Sequence, residues 1–130
     1  MVSSDEQLEK LATEVFDTFL SRNPTAATQM GRHENDDKLD DVSPEFIEES
    51  KVLLKEAFEN LEKIDETGHT ELGLIDREVF KASLDLFKFQ LEEIAQHEQN
   101  PDFGGFIGGS LFFLFMRDFA PIEERMRCIA

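Results

Sequence analysis

LIDREVFKASLDLFKFQLEEIAQHEQ, Leu74 to Gln99, is the stretch that decides the fold. It contains no glycine or proline, and Ile75, Val79, Ala82, Leu86 and Phe89 recur every three or four residues, as positions on one line of a helix do. Phe80, Leu84, Phe87, Leu91 and Ile94 form a second line beside the first. The spacing predicts one helix of roughly 26 residues, about 39 Å long, with an apolar sector wide enough to need neighbours on two sides.

The neighbours are readable on either flank. Upstream, Thr70 supplies a cap for the long helix. Ser43 and Pro44 give a cap followed by a first-turn proline, and Phe46, Ile47, Leu53, Leu54, Ala57, Phe58, Leu61 and Ile64 carry a helical stripe that stops before Gly68. Ser4 followed by Gln7 has capping-box spacing and opens a helix through Leu8, Leu11, Val15, Phe16 and Leu20, ending near Arg22. Asn23 and Pro24 start a short helix that Gly31 ends. Arg32 to Val42, RHENDDKLDDV, lacks apolar periodicity and reads as an exposed loop. Downstream of Asn100 and Pro101, Phe103 to Met116 is uncharged, shorter than the ~20 residues of a spanning helix, and reads as a buried helix. Pro121 opens a last helix that the sequence leaves after about two turns, without a terminator.

The expected fold is therefore all-α, an antiparallel helical bundle of about five to six helices. Residues 1–130 read as a single helical segment. Its last helix is cut short, the face of its long helix is wide, and Leu111 to Met116 are apolar all round, so the segment is expected to belong to a larger helical protein. The alternative is a small protein that dimerises through the same surfaces.

Composition narrows the function. Asp and Glu outnumber Lys and Arg 29 to 13, a formal charge of −16 whose field repels phosphate backbones and anionic membranes, so neither nucleic acid nor membrane is an expected partner. All 13 aromatic residues are Phe, apolar surface suited to cores and interfaces. The single cysteine, Cys128, precludes an intrachain disulfide, and the polar start MVSSDEQLEK has no signal-peptide pattern, so the default location is cytoplasmic.

No motif completes an active site. His33-Glu34-Asn35-Asp36-Asp37 begins like HExxH but lacks the second histidine, and the helix that signature needs is not expected there. Asp36, Asp37, Asp40 and Asp41 lack the glycine and glutamate of a calcium loop. Glu66-Thr67-Gly68-His69 has di-iron spacing but lies in a turn and occurs once. Gly104, Gly105, Gly108 and Gly109 have no following Lys-Ser or Lys-Thr and suit close helix packing better than a phosphate loop. His97 sits near the predicted end of the long helix, where the helix dipole favours a cation, and nothing makes it a ligand. Arg125 and Arg127 could lower the pKa of Cys128, but no histidine is paired with it in sequence and a structural thiol fits better.

Two segments, FLSRNPTAATQMGRHENDDKLDDVSPE from Phe19 to Glu45 and RDFAPIEERMR from Arg117 to Arg127, together resemble the opening part of the family catalogued as domain of unknown function 885. In that family a segment like F-L-x-x-N-P-x-x-A-T-x-x-G-x-H-x-x-D-D-x-L-x-D-x-S-P-E precedes a helical hairpin and then R-D-F-A-P-x-E-E-R. The resemblance implies a larger, mainly helical protein similar to the gluzincin metallopeptidases, with a zinc motif like H-E-x-x-P-G-H-H far downstream. That motif is absent from these residues, so this chain is expected to hold no catalytic residue, metal or cofactor. Zinc would belong to the full-length parent. The carry-over reaches His33, Asp36 and Asp37 and Arg117, Asp118 and Phe119. A structural role is the first expectation for these positions, and the functional alternative is that His33, Asp36 and Asp37 line the rim of a substrate cleft formed with the rest of the protein, where an imidazole and carboxylates suit a peptide's N-terminal amine. Asp118 is expected to cap the last helix or to pair with an arginine. Expected partners are the remainder of a larger polypeptide or a homodimer mate, met through the Phe-rich helices. An independent helical interaction or dimerisation module is the alternative function.

Overall fold

The computed structural model describes the backbone of residues 1–130 and every side chain except those of residues 96 and 103–107. The fold is all-α, with no strand among the described residues. Among the described residues seven α-helices follow in order: α1 (Ser4–Arg22), α2 (Pro24–Gln29), α3 (Pro44–Glu62), α4 (Glu71–Phe89), α5 (Gln96–Gln99), α6 (Phe103–Met116) and α7 (Ile122–Arg127). They divide into two compact units, Met1–Asp17 with Val42–Gln99 and Thr18–Asp41 with Asn100–Ala130.

In the first unit the apolar stripes of three helices close one core. Leu8 and Leu11 from α1 meet Ala57 and Leu61 from α3, Leu84 from α4 and Ile64 just past α3, with Val15, Leu54, Phe58 and Phe80 packed around them. Ser43 caps α3 through a bond from the Phe46 amide, and Thr70 caps α4 through a bond from Gly73, both as the sequence indicates. The α1 cap lies one residue earlier than the Ser4/Gln7 reading. Ser3 Oγ accepts from the Glu6 amide while Glu6 returns to accept from the Ser3 amide, a reciprocal box. Ser4 is buried instead, against the turn at Gly68.

Asp5 ties the start of α1 to the start of α4. Its Oδ2 accepts from Thr70 Oγ1 at 2.7 Å and its Oδ1 from His69 Nδ1 at 2.7 Å. The two helices therefore begin at the same end of the unit and α3 runs antiparallel to both. Arg77 fastens the hairpin by donating to the Leu61 carbonyl at 3.0 Å.

The expected continuous helix to Gln99 stops at Phe89. Residues Gln90–Ile94 widen into a π-type turn, and Ala95 takes a left-handed conformation with φ 46°. A helix cannot pass through a left-handed residue, so Gln96–Gln99 form a separate turn. Exposed carboxylates at Glu92 and Glu93, and no buried residue in the π-type turn, leave little packing to hold α4 straight there.

In the second unit α2 packs on α6, and α6 on α7. Asn23 stands at the N-terminus of α2, but its Nδ2 donates back to the Phe19 carbonyl at 2.8 Å and so caps the end of α1. Asp40 takes the N-terminal role, accepting from the Thr25 amide at 3.0 Å and from the Thr25 hydroxyl. At the other end Gly31, with φ 85°, allows Arg32 N–H to reach the Ala27 carbonyl at 2.8 Å while Gly31 N–H reaches Thr28 at 3.1 Å, the paired bonds of a left-handed C-terminal stop.

α6 is apolar but only partly covered. Ser110 and Leu114 are buried, whereas Gly108, Gly109, Phe112, Phe115 and Met116 are exposed, which corrects the reading of a fully buried helix. Gly104 and Gly105 lie outside the described residues. No described helix is long and apolar enough to cross a membrane.

Candidate functional site

The segment from Arg32 to Val42 carries no regular helix, as its composition indicates, but it is not simply a solvated loop. Asp36 is 7% exposed. Its Oδ1 accepts from Thr28 Oγ1 at 2.6 Å and its Oδ2 from His33 Nδ1 at 2.9 Å. A turn over residues 34–37 makes this possible, folding Asp36 back onto α2 where Thr28 waits one turn before the Gly31 stop. The carboxylate can only accept, so His33 Nδ1 carries a proton, and in the neutral form of the ring Nε2 is left with an acceptor lone pair.

The His33 ring also stacks on Phe119, with centroids 3.6 Å apart and planes 10° from parallel. A second tie runs from Arg117 Nη1 to the Gln29 carbonyl, 88 residues away in sequence. The Arg117 guanidinium lies 4.8 Å over the Phe113 ring. Arg125 is 5% exposed. Its Nη1 donates to the carbonyls of Leu114, Phe115 and Arg117 at the end of α6, and its Nη2 to Asp118 at 2.9 Å. Asp118 thus pairs with an arginine and does not cap α7.

Of the three candidate cleft-rim residues, the fold joins His33 and Asp36 and leaves Asp37 on the surface beside them. The acidic turn also acts on Cys128. Burial pushes that thiol up, and the nearby Asp36, Asp37 and Glu124 push it further, outweighing Arg127. The suggestion of a lowered thiol pKa is therefore corrected, because Arg125 is turned away to Asp118 and the carbonyls.

A second Asp–His pair escaped the sequence reading. His69 Nδ1 bonds Asp5, but the His69 side chain is 0% exposed and its Nε2 has no partner, against 29% exposure for the His33 ring. His69 is sealed within the fold, so its pair fastens helices. His33 can meet a solute. Hydrogen bonds from Thr70 and His69 hold the Asp5 carboxyl below its ordinary range. Only the 64-residue separation hid this pair, since neither residue has a local signal.

No three His, Cys, Asp or Glu side chains converge as a metal would require among the described residues. The residues present do not fit a zinc ion. What the His33 node can do is accept a hydrogen bond at Nε2 in a setting made negative by Asp36 and Asp37. No family model, curated protein or solved structure matches this chain.

Proposed function

We propose that this chain is the N-terminal helical scaffold of a protein similar to the gluzincin metallopeptidases, resembling the family catalogued as domain of unknown function 885, and that it supplies no catalytic group. The observation that carries this reading is the meeting of the two segments on which the resemblance rests. His33 from the first stacks on Phe119 from the second, and Arg117 reaches back to Gln29.

In this role His33 and Asp36 form part of a cleft wall. The Nε2 lone pair, backed by the Asp36 carboxylate, accepts a hydrogen bond from the ammonium of a peptide's N-terminus, and Asp37 adds charge attraction. Hydrolysis itself would come from a zinc-activated water held by residues outside Met1–Ala130, and the chain is placed in the cytoplasm with the rest of its polypeptide as its partner. The test is zinc uptake and peptide hydrolysis by the purified 130-residue chain, beside the same measurements on the polypeptide its reading frame encodes. The chain alone should do neither, and the longer product should do both and lose peptide affinity on His33→Ala. Zinc-dependent hydrolysis by the chain alone would overturn the proposal.

An independent interaction module is the second reading. It is favoured by one observation, the row of exposed apolar residues on α4.

A further inference from the structure

α4 carries two apolar stripes on opposite faces. Gly73, Phe80 and Leu84 lie on the inner one, toward the core, with Arg77 between them bonded to Leu61. Leu72, Ile75, Val79, Ala82, Leu86 and Phe89 form the outer one, and all six are exposed, Leu72 by 69% and Val79 by 61%. Their spacing alternates three and four without a break, which is the a/d seam of a heptad repeat and differs from the scatter of single apolar residues found on ordinary surfaces.

The positions beside the seam are acidic or neutral. In heptad register Glu71, Glu78 and Asp85 occupy the g row and Asp76, Ser83 and Gln90 the e row, all exposed. The exposed α4 lysines, Lys81 and Lys88, sit at c, behind the g row and away from the seam. A second copy of this chain is therefore a poor occupant. Parallel pairing sets Glu71 against Asp76 of the mate, antiparallel pairing sets the g row against itself, and like charges across a helix pair repel. An anionic membrane is disfavoured by the same carboxylates.

We propose that this seam is the docking site for an amphipathic helix of a partner protein, with large aliphatic residues at its own a and d positions and Lys or Arg at e and g. The seam spans Leu72 to Phe89, about 26 Å and two and a half heptads. That is short for a free coiled coil, but α4 is already held straight by its inner face, so the partner alone must become ordered. The seam supplies apolar area, and the flanking carboxylates select for a basic partner and set its orientation. This inference stands on α4 alone and does not depend on the parentage proposed above.

The experiment uses the whole 130-residue chain and two labelled 21-residue synthetic helices, both with Leu at a and d, one with Lys and the other with Glu at e and g, followed by fluorescence anisotropy. The Lys helix should bind saturably and the Glu helix at least tenfold more weakly. Val79→Asp, which leaves the inner face untouched, should weaken the Lys helix about tenfold or more, the worth of one buried Val side chain, with the circular dichroism unchanged. The triple change Glu71→Lys, Glu78→Lys, Asp85→Lys should reverse the preference. Glu9→Lys, Glu56→Lys, Glu62→Lys, with the same change in net charge on exposed positions of α1 and α3, should leave it in place. Equal binding of the two helices, a preference that follows net charge wherever it is placed, or self-association of the chain that Val79→Asp abolishes would each overturn the proposal.

Discussion

Replacing Arg125 by Met should loosen the second unit by about 3 to 4 kcal/mol. The guanidinium closes the C-terminal end of α6, where the last four carbonyls of any helix lack intrahelical donors. Three carbonyls accept from its Nη1, at 3.1 Å for Leu114, 2.9 Å for Phe115 and 2.8 Å for Arg117. A hydrogen bond from a charged donor contributes about 1.5 to 3 kcal/mol where water cannot replace it. Only Leu114 is buried, so its carbonyl loses about 2 kcal/mol, while the carbonyls of exposed Phe115 and Arg117 recover most of their loss from solvent at about 0.5 to 1 kcal/mol each. The Asp118 partner is 95% exposed, so that ion pair adds under about 1 kcal/mol, and Asp118→Asn should be mild. The buried, unpartnered Nε works against the native arginine, and Met keeps the apolar stem, so the sum should not be larger. Amide exchange across residues 108–116 measures the change directly. A loss of about 3 kcal/mol should raise exchange there roughly a hundredfold. A change under about 1 kcal/mol, or one equal to that of Asp118→Asn, would refute the claim that the carbonyls are what Arg125 holds.

Gly73→Ala should lower the melting temperature, although Gly-to-Ala within a helix ordinarily gains up to about 1 kcal/mol. The added Cβ would lie 1.9 Å from Asp5 Oδ1 and would drive the carboxylate off Thr70 and His69, and a raised melting temperature would contradict this. Because the Asp5 carboxyl is held below its ordinary range, chiefly by Thr70, its contribution is present above the unfolded value near about pH 4 and disappears as pH falls through the lower folded value. Thr70→Ala should make the acid limb of a stability–pH curve shallower, even though losing the cap lowers stability at every pH. The Cys128 thiol, pushed up by burial and the acidic turn, should alkylate more slowly at pH 8 than free cysteine, and Asp37→Asn should speed it on the order of twofold, read by mass spectrometry.

Much of the helix layout is written locally. Ser43 with Pro44, Thr70 and Gly31 act within a few residues of themselves, so their roles can be read without knowing the fold. Asn23 and Ser4 look equally good as caps, yet each has a competitor: Asp40 reaches Thr25 from 15 residues away, and Ser3 with Glu6 closes the box one step earlier. The break at Ala95 has no sequence mark, since alanine is the best of helix formers and yet takes a left-handed conformation there. The width of the α4 apolar sector was legible, and its outer row is the face left open. The site divides in the same way. His33 and Asp36 sit three apart and their bond is local, whereas the stack on Phe119 and the Asp5–His69 pair require tertiary contacts that periodicity does not encode.

The most direct test of the scaffold proposal is the metal content of the polypeptide encoded by the reading frame that carries these 130 residues, measured with the 130-residue chain alongside. The account predicts one zinc per longer chain, held by an HExxH-type motif downstream of Ala130, and none in the 130-residue chain. A frame that lacks such a motif, or zinc-dependent peptide hydrolysis by Met1–Ala130 alone, would contradict it.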